Sequence, residues 1–284
     1  MAGLLSGLDK LGLGGLEGMN LFDEADSKEA EIVKSKAPET VVMETDFLFD
    51  KTYECPVCYQ SIKERTLKTG KAKLSRTELN LRPVYEEIEP LKYDVIVCPH
   101  CGYASLSRFF GHMAPSQVKA VKENISATFR RNIVWKETYS YEDAIERYQL
   151  CLVNAIVKKA KASEKAYICL KAGWLAQAMQ ENMPVDEQDY VSRQKEAKVL
   201  EREFMKNALE GFIGARQSES GPICGMDQNT VDYLIAVLAM EFGKYEVSAK
   251  LVSNIIVSPS SNERMKDRAR EVKEILIEKM KQKK

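Results

Sequence analysis

The sequence predicts a mainly α-helical protein that carries one small β-rich module near its front, and three observations support this. From Pro115 onward, apolar residues recur every three or four positions, which is the period of an amphipathic helix. Before that point, runs of good strand formers lead directly into two Cys-x-x-Cys sequences. The first 46 residues follow neither pattern. We therefore expect three segments, at 1–46, 47–114 and 115–284.

The composition is ordinary for a globular protein. The chain has 284 residues, of which 44% are hydrophobic and 30% charged, enough for one large core or two modest ones. Its 42 basic and 42 acidic side chains cancel, so no global field favours nucleic acid or an anionic membrane. No apolar run approaches the roughly 20 residues that span a bilayer, and the N-terminus lacks the basic region of a signal peptide. We expect a cytoplasmic protein without membrane contact.

Residues 1–46 are predicted to form a disordered acidic tail. Six of the fifteen glycines lie in the first 18 residues, and four lysines face ten acidic residues up to Asp46. Low aromatic content with excess negative charge disfavours a packed core. A short partner-binding motif is the alternative, formed by Leu8, Leu11, Leu16 and Phe22.

Two Cys-x-x-Cys pairs, separated by 39 residues, are the main chemical signal. Their members are Cys55, Cys58, Cys98 and Cys101. Each pair places two thiolates on one edge of a tetrahedron, and two pairs complete the four soft ligands that Zn²⁺ prefers. Gly102 permits a tight turn after the second pair, whereas Tyr59 follows the first and departs from a symmetrical arrangement. The four cysteines are the predicted zinc ligands.

Four thiolates fill the coordination of zinc, so the predicted site is structural and the module resembles a zinc ribbon. The spacer exceeds the roughly 15–20 residues of a compact ribbon, which predicts an extra hairpin or loop within it. Thiol–disulfide exchange is the alternative, because His100 and a following helix would lower the pKa of a neighbouring thiol. A four-cysteine iron–sulfur cluster is a further alternative.

The other cysteines and histidines point to no reaction. Cys151 and Cys169 lie in apolar helical patterns and are predicted core residues, while Cys224 lies in a polar loop and is assigned no role. His100 and His112 are the only histidines, and both are expected at the surface. The sequence contains no Walker motif and no strand-linked Gly-x-Gly-x-x-Gly. We expect a protein that is not an enzyme.

The spacer carries a basic run. Its seven members are Lys63, Arg65, Lys68, Lys71, Lys73, Arg76 and Arg82. Such a run is usually a solvated surface. Binding of nucleic acid is the less favoured alternative, with the basic groups on phosphates and Tyr59 or Tyr85 stacking on a base.

Seven helices are predicted from the apolar period and from capping signals. They cover 116–136, 140 to 152 or beyond, 166–179, 192–217, 229–242, 245–257 and 260 to the C-terminus. Ser140 with Asp143, and Ser260 with Glu263, have the spacing of capping boxes that begin the second and the last of these.

Two positions match the turn of a tetratricopeptide repeat. Tyr141 and Tyr245 each open a helix in which small and aromatic residues follow at repeat spacing, and they lie 104 residues apart, close to three periods of about 34. Tyr167 and Trp174 fit the first helix of a repeat between them. We predict tetratricopeptide-like helical hairpins that bind a protein or peptide partner, with a generic helical bundle as the alternative.

The chain resembles an uncharacterised bacterial family, domain-of-unknown-function family 2225. The resemblance rests on the sequence around the second cysteine pair, from Pro90 to Ala104, on the first pair and on the helices that follow. The resemblance covers roughly residues 47–260. It implies a zinc-ribbon-like head on a helical-repeat body in a cytoplasmic bacterial protein, and it implies no activity. The functional expectation is therefore a zinc-binding adaptor.

Overall fold

The computed structural model describes residues 43–129, 135–186 and 189–282. The predicted disordered tail lies outside the described residues except for its last four. Of these, Glu44 begins a short 3-10 turn, Glu44–Phe47, that leads into the first strand. The division into three segments stays a prediction.

Six strands form three separate antiparallel pairs. The pairs are β1 (Leu48–Glu54) with β2 (Ser61–Leu67), β3 (Leu74–Thr77) with β4 (Pro83–Tyr85), and β5 (Val95–Val97) with β6 (Ala104–Leu106). β1 and β5 end directly before Cys55 and Cys98, as the sequence predicts. The β3–β4 pair is the extra hairpin expected within the long spacer.

Tyr93, a predicted strand residue, lies instead in a 3-10 turn, Pro90–Tyr93. Pro90 fixes the backbone angle at the start of this turn, and the Glu89 side chain accepts a hydrogen bond from Leu91 N at 3.1 Å. Local capping therefore overrides the strand preference of the tyrosine.

Seven α-helices lie within the described residues and are their main secondary structure. They are α1 (Pro115–Val121), α2 (Tyr141–Val157), α3 (Ala162–Glu181), α4 (Tyr190–Ser218), α5 (Gln228–Glu241), α6 (Tyr245–Val257) and α7 (Glu263–Gln282). From α2 onward each helix packs against the next one in the chain, as in a series of helical hairpins. The mainly helical fold is confirmed. The tetratricopeptide period stays a prediction, and α4, with 29 residues, is long for such a repeat.

The first predicted helix, over 116–136, is too long. α1 ends at Val121 and continues as a π-helical turn, Lys122–Ser126, in which Ala127 N donates to Lys122 O at 3.2 Å. Val121 and Ile125 are both buried in the apolar cluster that surrounds the cysteine pairs. Residues 130–134 lie outside the described range, and the chain at 135–136 is not helical.

One of the two predicted capping boxes is confirmed. Asp143 N donates to Ser140 Oγ at 3.1 Å and Ser140 N donates to Asp143 Oδ2 at 3.0 Å, at the start of α2. The capping box predicted from Ser260 and Glu263 at the start of α7 is wrong. Asn262 caps this helix instead, because Met265 N donates to Asn262 Oδ1 at 2.9 Å. Asn262 is the residue that directly precedes the first helical residue, so its side chain reaches the free N–H groups.

The main core joins β5 and β6 to helices α2–α5, and it contains the predicted core residues Cys151 and Cys169. α3 and α4 pack closely at small residues. A Cβ at Gly211 would lie 2.8 Å from Ala166 Cβ, so a larger residue there would force the helices apart. Among the described helices, none combines the length and apolar composition needed to cross a membrane.

Candidate metal centre

The first cysteine pair is the turn between β1 and β2. Cys55 N donates to Gln60 O at 3.0 Å, and Tyr59 N donates to Cys55 O at 2.8 Å. Together these bonds fold the backbone around one side of the centre. Tyr59 has a φ of 59°, the left-handed conformation that few non-glycine residues adopt.

The second pair repeats this geometry between β5 and β6. Cys98 N donates to Tyr103 O at 2.8 Å, and Gly102 N donates to Cys98 O at 3.0 Å. Gly102 has a φ of 74°, so it occupies the position that Tyr59 occupies in the first turn. The departure from symmetry expected at Tyr59 concerns the side chain, because the two backbones follow the same path.

The two turns bring the four cysteine sulfurs to within 4.8 Å of one another. Sγ of Cys55 lies 3.6 Å from Sγ of Cys101, and Sγ of Cys58 lies 3.5 Å from Sγ of Cys98. A tetrahedron with zinc–sulfur bonds of about 2.3 Å has edges of about 3.8 Å. A disulfide would need about 2.05 Å, and all seven cysteines are free thiols. The cluster therefore fits a single tetrahedral metal ion.

The electrostatics of the cluster favour a bound cation. Hydrogen bonds with the thiols of Cys101 and Cys55 lower the pKa of Cys98, and the backbone N–H groups of His100 and Cys101 lower it further. The pKa of Cys101 is raised by Cys55, by Cys98 and by burial. One thiolate is thus stabilised only while its neighbours stay protonated. A bound cation offsets the repulsion between the thiolates, since it favours the deprotonated form of all four cysteines together.

Burial leaves one open edge at the centre. The side chains of Cys55 and Cys98 are fully buried and Cys101 is 6% exposed, whereas Cys58 is half-buried. A cavity of about 500 Å³ lies over Cys58 and is bordered by His100. Both His100 and His112 are exposed, as the sequence predicts.

A buried ion pair that the sequence analysis missed fastens the two turns together. Glu64, on β2, is 5% exposed and accepts hydrogen bonds from Val97 N at 3.1 Å and from Tyr139 Oη at 2.9 Å. Arg147, on α2, donates to Glu64 at 2.6 Å and to Val95 O at 2.9 Å. The carboxylate therefore joins the hairpin of the first turn to the hairpin of the second and to a helix.

One signal in the sequence could have identified Glu64. Glu64 lies two residues after Ile62, so both side chains point to the same face of β2, and both are buried. A carboxylate on the apolar face of a strand requires a buried partner. The identity of that partner, 83 residues further along the chain, is not evident from the sequence.

The basic run of the spacer is largely neutralised. Four of its members pair with carboxylates at 2.5–3.2 Å: Arg65 with Asp50, Lys73 with Glu86, Arg76 with Glu78, and Arg82 with Glu78 and Glu181. Arg82 is fully buried, which disfavours its contact with phosphate in the nucleic-acid alternative. Tyr59 is 66% exposed, whereas Tyr85 is half-buried.

Cys224 lies apart from the cluster. Its thiol is half-buried and donates to Ser163 O at 3.4 Å. Burial raises the pKa of this thiol to about 11, which disfavours the reactive thiolate.

Comparison with known proteins gives one match. A family model described as an uncharacterised protein conserved in bacteria, DUF2225, matches residues 48–276. The match includes both cysteine pairs and most of α7. Neither the curated proteins nor the solved structures contain a significant match to this chain.

Proposed function

The chain belongs to DUF2225, a family of uncharacterised bacterial proteins, and on that premise we propose that it is a non-enzymatic adaptor whose strand module is held together by structural zinc. The observation that carries the proposal is the convergence of four thiols from two matching turns to within 4.8 Å. The helical hairpins provide the surface on which a protein partner binds.

The ligand set supports zinc in a structural role. Four cysteines complete a tetrahedral coordination, and such a site keeps no position for water or substrate. Backbone N–H groups of Val57 and Cys58 point to the sulfur of Cys55, and those of His100 and Cys101 point to that of Cys98. Such bonds offset thiolate charge in zinc turns.

Burial argues against an oxidoreductase. Disulfide exchange requires a thiolate that a partner disulfide can reach. In the second pair, Cys98 is fully buried and Cys101 is 6% exposed. The half-buried Cys58 lies opposite Cys98, at 3.5 Å, as one of four clustered sulfurs.

Metal content of the purified full chain tests the zinc site. We expect one zinc per chain, lost in Cys98→Ser and retained in the matched control Cys224→Ser, whose thiol lies outside the cluster. If the protein instead contains iron and shows visible charge-transfer absorption, the four cysteines hold an iron–sulfur cluster and the zinc proposal is wrong. If the protein contains no metal and forms a Cys98–Cys101 disulfide that equilibrates with glutathione, the zinc proposal is wrong and an oxidoreductase is supported.

The exposed face of α4 is the part of the helical region that best suits a protein partner. Val191 is 78% exposed and Val199 is 57% exposed, and a shallow groove of about 460 Å³ lies along Val199 and the half-buried Leu200. Lys195 and Glu196 border the same groove. Apolar side chains with charges at the rim favour an amphipathic helix of a protein partner.

Crosslinking in bacterial cells, followed by purification of the full chain, tests this surface. A partner should be recovered with the wild-type protein and lost with Val191→Asp/Val199→Asp. The control Val257→Asp changes a valine that is 77% exposed at the end of α6, and it should retain the partner. Equal recovery with all three proteins would exclude the α4 face as the binding surface.

A further inference from the structure

A second cavity, separate from the metal centre, lies where the three strand pairs meet α3. Its volume is about 410 Å³, within the range of about 300–1,000 Å³ typical of small-molecule sites. Its helical wall consists of Tyr167, Lys171 and Trp174, which share one face of α3 at helical spacing. The strand side adds three more aromatic rings, from Tyr53, Tyr85 and Tyr93.

One wall of this cavity carries a neutral ion pair. Lys171 Nζ contacts Asp94 Oδ2, and Ser107 Oγ donates to Asp94 Oδ1 at 2.6 Å. Both charged side chains are largely buried, with 15% and 18% of their surface exposed. Lys171 Nζ also lies 4.9 Å from the centre of the Tyr167 ring. The wall therefore presents hydrogen-bond donors beside an acceptor, among aromatic faces.

Trp174 completes the helical wall with a largely buried indole ring. Its side chain is 7% exposed, and its indole Nε1 is buried without a hydrogen-bond partner among the described residues, so this nitrogen does not face the open part of the cavity.

We propose that this cavity binds an uncharged, planar nitrogen heterocycle with adjacent N–H and C=O groups, such as the base of a free nucleoside. The charges of Lys171 and Asp94 offset each other, so the pair gives no net attraction to either a cationic or an anionic ligand. The edge of a neutral heterocycle offers an acceptor to Lys171 and a donor to Asp94 at the same time. The surrounding rings provide faces on which a planar ligand stacks.

Tryptophan fluorescence of the full, metal-replete chain gives a direct test. The sequence contains two tryptophans, so in Trp135→Phe the remaining signal comes from Trp174. Uridine and inosine are the probes, with benzoate and benzylamine as planar charged controls. We expect a saturable change with a nucleoside and none with either control. In the same background, Lys171→Met and Tyr85→Leu should each weaken binding about tenfold, the effect of losing one good contact.

The matched control is Tyr59→Leu, which makes the same change at an exposed tyrosine on the first cysteine turn and should bind like its parent. Tyr85→Leu leaves the ion pair intact, so it tests the site even where Lys171→Met fails to fold. The proposal is overturned by the absence of a saturable change with either nucleoside, by equal responses to the charged probes, or by unchanged binding in Tyr85→Leu.

Discussion

At the scale of single residues, the two cysteine turns show how one backbone geometry accepts different side chains. Tyr59 and Gly102 hold the same position after their cysteines, with φ of 59° and 74°. Tyr59 projects into solvent and is 66% exposed. Gly102 lies under an aromatic ring, because a Cβ built there would be 2.6 Å from the ring of Phe129. Only the second position therefore excludes a side chain on steric grounds.

Gly102→Ala should destabilise the metal-bound protein by about 2–5 kcal/mol. A left-handed non-glycine residue costs about 1–2 kcal/mol, and displacement of the Phe129 ring adds an overpacking cost of about 1–3 kcal/mol. Thermal unfolding of the zinc-loaded chain measures the change.

Tyr59→Gly is the matched comparison for this substitution. Relief of the left-handed strain offsets the larger conformational entropy of glycine in the unfolded chain, so its unfolding free energy should change by less than about 1 kcal/mol. Equal losses in the two variants would show that the ring contact at Gly102 has no energetic role.

At the scale of elements, the β3–β4 hairpin explains the long spacer between the cysteine pairs. Its loop reaches three helices. Arg82 pairs with Glu181 on α3 at 2.5 Å, Tyr233 Oη on α5 donates to Leu79 O at 3.0 Å, and Arg268 on α7 donates to Glu78 O at 3.1 Å. The spacer therefore fastens the strand module to helices that are distant in the sequence.

The start of α7 provides a prediction at this scale. Asn262→Ala should lower the unfolding free energy by about 1 kcal/mol, because it removes the side-chain oxygen that accepts from Met265 N. Ser260→Ala should have a smaller effect, since the hydrogen bonds of Ser260 with Ser258 and Asn229 are exposed to solvent. Urea unfolding of both variants measures the difference. A larger loss of unfolding free energy for Ser260→Ala than for Asn262→Ala would support the Ser260 capping box that the sequence predicts.

At the scale of the whole molecule, the cysteine cluster and the last three helices lie in separate apolar cores, while β5 and β6 also pack in the main core with α2–α5. The cysteine cluster packs with its own apolar residues, including Phe110 and Val121, while α5, α6 and α7 share another core. Asn154 on α2 donates to Gly102 O at 3.1 Å, and Arg147 joins the two hairpins through Glu64. Loss of the metal should therefore act locally first.

Removal of the proposed zinc ion should open the first cysteine turn with β1 and β2 and leave the later helices folded. Structural zinc contributes on the order of 10 kcal/mol to a small module, whereas α5–α7 bury their own apolar residues. Hydrogen exchange after chelation should show lost protection in β1 and β2, with protection retained in α5 and α6. Uniform loss over the whole chain would show instead that the metal supports one cooperative unit.

Local patterns were sufficient for part of this picture. The Cys-x-x-Cys spacing determines a two-thiol turn, and the preceding strand formers determine that β1 and β5 lead into Cys55 and Cys98. The apolar period located helices such as α6, whose predicted range, 245–257, is unchanged in the structure. These features depend on residues within a few positions of one another, so the sequence alone predicted them.

Tertiary structure decided the remainder, because its decisive contacts join distant residues. Glu64 meets Arg147 across 83 positions, and Arg82 meets Glu181 across 99. In the sequence, Arg82 looked like a solvated charge, and burial with a carboxylate partner reversed that interpretation. Whether a charge faces water or pairs in the interior depends on which elements pack against it. The sequence therefore determined the two cysteine turns and most helices, whereas packing determined how the two turns converge and which charges are buried.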